Sequence, residues 1–132
     1  MNNLFRLEVR KNFTRGEEFA NSLTHGIGLL FGLVAWVLLV VKGVQEKDGL
    51  YLISVSVYSL SMIILFFNSM IYHGLRQNKK KDTFEKLDHA SVYLLIAGTY
   101  TPFCLVTIGG TQGILLCIFQ WTLALSGAVS KF

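Results

Sequence analysis

Three stretches of the chain carry no Asp, Glu, Lys or Arg: Phe19 to Val41, Gly49 to Leu75 and His89 to Ser130. A bilayer-crossing helix needs roughly 20 apolar residues, so the first two stretches each predict one span and the third holds two. The segment Thr107-Ile108-Gly109-Gly110-Thr111-Gln112-Gly113 supplies the turn that divides the third. The pattern predicts an all-α integral membrane protein, a single membrane domain over residues 1–132, with helices near 19–41, 50–73, 89–107 and 113–130. Composition agrees: 52% hydrophobic residues and a mean hydropathy of +0.51 are too apolar for a soluble domain with one core. No internal repeat of 20 to 50 residues is apparent.

Charge sets the expected orientation. Arg6, Arg10, Lys11 and Arg15 precede the first span, and Arg76, Lys79, Lys80, Lys81 and Lys86 lie between the second and third. The first hairpin has Lys42 and Lys47 balanced by Glu46 and Asp48, and the last turn is uncharged. The positive-inside rule then places the N-terminus, the basic connection and Lys131 in the cytoplasm of a multi-pass cell-membrane protein. The net charge of +4 calls for no nucleic-acid partner, since topology and anionic lipid head groups account for it. A cleavable signal peptide is excluded by the length of the first apolar stretch and by the spans that follow it.

Thr14-Arg15-Gly16-Glu17 has the form of a capping box, which starts the first helix near Arg15. The arm before it, Met1 to Phe13, reads equally as an interfacial segment or a tail. Glu18, Asn21, His25, Gly28 and Gly32 recur every three or four residues, so they share one face, and that face meets protein rather than lipid. His25 is better read as a packing residue bonded to a neighbouring helix than as part of any chemistry. Pro102, the only proline, predicts a kink eased by a threonine hydroxyl, and Ala124 and Ala128 predict a close contact on the fourth helix. Cys104 and Cys117 read as buried, inert thiols.

Candidate chemistry gathers at one membrane edge. Ser69 and His73 are four residues apart on the second helix, and Asp88 heads the third. Ionisable groups at this depth are costly to dehydrate, which marks them as functional. A neutral imidazole binds zinc, and zinc with an open position lowers the pKa of its water to about 7. Asp88 then serves as a direct ligand, as a hydrogen-bond partner that orients a ligand, or as a proton acceptor. The bland reading is as well supported by spacing alone: His73 and His89 sit among the head groups, Asp88 caps a helix, and Ser69 bonds its own backbone.

Three blocks tip this balance. They are Glu18-Phe19-Ala20-Asn21-Ser22-Leu23-Thr24-His25-Gly26, then Asn68-Ser69-Met70-Ile71-Tyr72-His73, then Lys86-Leu87-Asp88-His89-Ala90 continuing to Ala97-Gly98-Thr99-Tyr100-Thr101-Pro102-Phe103. With Trp121 to Phe132, they make the chain resemble the N-terminal part of the hemolysin III family, the bacterial branch of the progestin and adiponectin receptor superfamily. The resemblance implies the first four helices of a seven-helix bundle. It further implies a metal-dependent lipid hydrolase in which His73 is a zinc ligand, Asp88 a partner of the zinc-bound water and Ser69 a supporting group. The superfamily's His-x-x-x-His on the seventh helix has no counterpart here. A truncated, inactive chain is therefore expected, one that needs C-terminal helices or another chain to complete the site and whose polar stripes turn to lipid or to self-association. A pore-forming hemolysin and a non-enzymatic stress or receptor-like protein are the alternative functions.

Overall fold

The computed structural model describes residues 13–76 and 78–132. Arg6, Arg10, Lys11 and most of the arm expected from Met1 to Phe13 lie outside the described residues. Helix α1, Arg15–Glu46, begins where the capping box predicts: the Glu17 amide donates to Thr14 Oγ1 at 3.2 Å and the Thr14 amide to Glu17 Oε2 at 2.8 Å. It ends at Lys47, whose φ of 54° is left-handed and stops the ladder. Asp48 then caps α2, Gly49–Gly74, by accepting from the Tyr51 amide at 2.9 Å.

Helix α3, Lys79–Pro102, starts about ten residues before the expected position at 89. Hydropathy marks where the hydrocarbon begins, whereas the helix begins at its cap: Asn78 accepts from the Lys81 amide at 3.0 Å. Much of the basic connection is therefore helical, its lysines standing on the first turns of α3. The proline neither ends nor simply bends α3. Lacking an amide at Pro102, the ladder shifts into a π-helical turn over Phe103–Ile108, closed by the Gly109 amide on the Cys104 carbonyl at 2.9 Å. The threonine hydroxyls bond carbonyls within the helix, Thr101 to Ala97 and Thr99 to Leu95, both at 2.8 Å. The turn to α4, Gly110–Val129, shrinks to Gly109 and Gly110, whose φ values of 67° and 58° are left-handed.

All four helices are long and apolar enough to cross a membrane. They pack in sequence order, α1 on α2, α2 on α3 and α3 on α4. The seams are built from small residues: Ser54, Val55, Ser59, Ser61, Ala90, Ala97, Ala124 and Ala128 are buried, while Phe31, Leu30, Leu38 and Phe119 stand exposed. That inversion suits a hydrocarbon solvent, in which large side chains face lipid and close backbone approach holds the helices together. The small residues of α1 receive side chains from α2, with Phe66 against Gly28 and Met62 beside Gly32. Buried hydroxyls close on their own helices, Ser54 on the Leu50 carbonyl and Ser61 on that of Tyr58, both at 2.7 Å.

A methyl group added at Gly113 meets the Cys104 carbonyl, a backbone atom that cannot swing aside, whereas nothing lies within 4 Å of one added at Gly49. Gly113→Ala is expected to lower stability by about 1–3 kcal/mol and Gly49→Ala to leave it within about 0.5 kcal/mol. Chemical unfolding in detergent micelles, followed by helical circular dichroism, checks both. Equal stability of the two variants would show that α3 and α4 are not seated this closely.

Candidate functional site

The N-terminal end of α1, the C-terminal end of α2 and the first turn of α3 meet at one edge of the helix row, and a carboxylate joins all three. Glu18 stands at the end of the first turn of α1, where an acid is also favoured by the helix dipole. Its Oε2 lies 2.7 Å from His73 Nδ1, and its Oε1 accepts from Lys81 Nζ at 2.5 Å. The Lys81 ammonium also donates to the Leu75 carbonyl at 3.2 Å, which caps the end of α2, and lies 5.1 Å from the Tyr72 ring centre. The three side chains retain 21%, 11% and 10% exposure for Glu18, His73 and Lys81, so the charges are largely withdrawn from water and compensate one another.

An ionised carboxylate only accepts, so the His73 nitrogen that faces it, Nδ1, carries a proton. Among the described residues Nε2 makes no hydrogen bond. The ring is fixed on its other sides by His25, stacked at 5.7 Å with planes 10° apart, by Tyr72 at 4.7 Å and by the edge of Phe13 at 6.0 Å. His25 also packs on Phe66 at 5.9 Å, in keeping with a packing role, but its Nδ1 is buried without a hydrogen-bond partner. A second tie pins α1 to α2 nearby, from the Ser22 hydroxyl to the Met70 carbonyl at 2.9 Å.

Ser69 is buried on α2 one turn below His73. Asp88 is half-buried on α3, but the carboxylate bonded to His73 is Glu18. His89 is exposed. Deeper in the seam, Asn68 donates to the Ser91 hydroxyl at 2.7 Å, and Ser91 in turn donates to the Leu87 carbonyl at 2.6 Å. This buried pair locks α2 to α3 beside Ser69. Cys104 is fully buried and both cysteines are free thiols. Among the described residues no group of three or more His, Cys, Asp or Glu side chains is placed to hold a metal ion.

Beside the Glu18 cluster opens a cavity of about 510 Å³. Its polar wall includes Arg15, Glu18, His73, Arg76 and Lys81, and its apolar wall Phe13, Phe19 and Leu75.

The model of a family described as Haemolysin-III related matches residues 13–132, nearly the whole chain. The chain belongs to that family. Among the curated members, the "Hemolysin-3 homolog" of Bacillus subtilis (strain 168) is 41% identical over 119 residues, covering 90% of this chain and 56% of that protein. The "Hemolysin-3" of Bacillus cereus is 39% identical over 115 residues, covering 87% of this chain and 52% of its own length. The chain thus spans about half the length of these hemolysin III relatives. No solved structure matches it significantly.

Removing Glu18 leaves the Nδ1 proton of His73 without its acceptor and the largely buried Lys81 ammonium without its counter-charge, bonded only to the Leu75 carbonyl. Glu18→Ala is expected to lower stability by about 2–3 kcal/mol, less than a fully enclosed pair because the carboxylate keeps some water contact. The double variant Glu18→Ala/Lys81→Met is expected to recover more than half of that loss, read by a double-mutant cycle of unfolding in micelles. Simple additivity of the two single changes would refute the coupling.

Proposed function

We propose that this chain contributes to a zinc-dependent hydrolase of a lipid amide or ester, with His73 as one metal ligand. The observation that carries the reading is the bond from His73 Nδ1 to Glu18 with Nε2 left unengaged. Metal-bound histidines almost always give their other nitrogen to a carboxylate or carbonyl, which fixes the tautomer and raises ligand basicity. The described residues fit one corner of such a centre and not the whole of it, since catalytic zinc takes three protein ligands. The remaining ligands would have to be supplied from outside the described residues or by another chain.

Within that corner each side chain has a separate task. Glu18 holds the Nδ1 proton and the plane of the ring, Lys81 balances the carboxylate, and stacked His25 keeps His73 from rotating. Ser69 supports the same face from one turn below, and Asp88 is the acid available to handle a proton from water at the site. When bound, zinc would supply a water acidic enough to be hydroxide near neutral pH. The site lies where the apolar spans give way to Arg15, Arg76 and Lys81, so it faces the head-group layer, on the cytoplasmic side by the distribution of cations.

Zinc content of the purified natural protein, measured by plasma mass spectrometry, tests the reading. The parent is expected to hold zinc and to cleave a lipid amide or ester, and His73→Ala to lose both. Glu18→Gln is expected to weaken zinc binding by about 10- to 100-fold. Full zinc retention in His73→Ala would exclude the assignment.

A further inference from the structure

The cavity beside Glu18 has a charge asymmetry that a metal centre does not explain. Lys81 is consumed by Glu18 and the Leu75 carbonyl, but Arg15 and Arg76 line the same cavity, and no hydrogen bond or ion pair to either side chain is present among the described residues. The two arginines come from different elements, one from the first residue of α1 and the other from just beyond α2, so the fold itself brings them to one cavity. Phe13, Phe19 and Leu75 supply the apolar part of the same lining. With Glu18 and Lys81 cancelling, Arg15 and Arg76 leave the lining two positive charges that no ion pair among the described residues compensates, next to an apolar surface.

The cavity is also at the right depth. Phe19 opens the first charge-free stretch and Leu75 closes the second, so the apolar wall marks the edge of the hydrocarbon and the arginines lie on its polar side. A volume of about 510 Å³ falls within the roughly 300–1,000 Å³ of small-molecule sites and exceeds what a lone ion fills. Guanidinium groups pair with phosphate oxygens through two parallel hydrogen bonds and are less strongly hydrated than ammonium, which suits a partly dehydrated edge.

We propose that this cavity binds the phosphate head group of an anionic glycerophospholipid, held by Arg15 and Arg76, with the start of its acyl chains on Phe19 and Leu75. The site deepens the hydrolase reading by naming the head-group class presented to His73, and as a binding site it rests on geometry alone. Lipid occupancy and catalysis are therefore separable.

Native mass spectrometry of the detergent-solubilised protein, titrated with phosphatidylglycerol, phosphatidylcholine or inorganic phosphate, tests it. Phosphatidylglycerol is expected to bind at least about tenfold more tightly than phosphatidylcholine. Arg15→Gln/Arg76→Gln is expected to erase that preference, and Arg15→Lys/Arg76→Lys to restore part of it. Lys79→Gln/Lys80→Gln removes the same charge from the same edge outside the cavity, and is expected to change the preference less than about threefold. Equal losses in the two Gln pairs would reduce the effect to diffuse surface attraction and overturn the site. Phosphate competing as strongly as the lipid would overturn the lipid assignment in favour of a free anion. Lipid preference in a protein that never holds zinc would sink the hydrolase reading alone. Unfolding midpoints accompany each variant, and a Gln pair that fails to fold is replaced by Arg76→Gln singly, expected to lower the preference about threefold; no change there would overturn the site.

Discussion

A single carboxylate, drawn out of water at the membrane edge, joins the ends of three helices. Glu18 takes one hydrogen bond from α2 and one from α3, while α1 packs only along α2 among the helices described. The Lys81 contact is thus the polar link between the first and third members of an open row. Coulomb attraction between largely dehydrated groups is strong, and each partner here also satisfies the other's hydrogen bonds, which offsets the cost of leaving water. His73 is held by this arrangement and not merely near it. Its orientation follows from Glu18 below and His25 beside it, which is how a flexible ring acquires one direction for its free nitrogen.

The remainder of the row obeys the rules of packing in hydrocarbon. Lipid tails are as apolar as leucine, so large apolar side chains gain little by turning inward, and helices adhere where backbones approach. The seam residues are accordingly mostly Ser, Ala, Gly and Cys, and the hydroxyls of Ser54 and Ser61 bond within their own helix. Some bonds do cross between helices, from Ser22 to the Met70 carbonyl, from Trp121 to Thr101 and from Asn68 to Ser91, the last pinning the register of α2 and α3 a short distance from His73.

Much of this architecture was legible in the chain. Charge-free length gave four spans, Thr14 and Glu17 gave the start of α1, and three- and four-residue spacing gave the protein-facing stripe from Glu18 to Gly32. The start of α3 was not legible, because hydropathy reports the hydrocarbon boundary while Asn78 caps a helix that begins in the charged layer. The Glu18 bond to His73 joins residues 55 apart, and no local pattern pairs them. A signal existed nonetheless. Glu18 is the acid on the stripe that also carries His25, at the membrane edge where His73 emerges. The shift to a π turn after Pro102 was likewise hidden, since proline removes a donor without saying how the ladder reforms.

That π turn changes the phase of everything after it. One extra residue per turn rotates the following positions by about 100° relative to an unbroken α-helix, which turns Cys104 fully inward and leaves Phe103 half exposed. The reading frame of α4 against α3 therefore depends on a count. A gain or loss of one amino acid between Pro102 and Gly109 would keep the hydropathy profile of the span and yet turn Trp121 away from Thr101, the residue it now bonds. Insertions here are invisible to composition and decisive for assembly, and so the length of this short segment carries as much structural information as its letters.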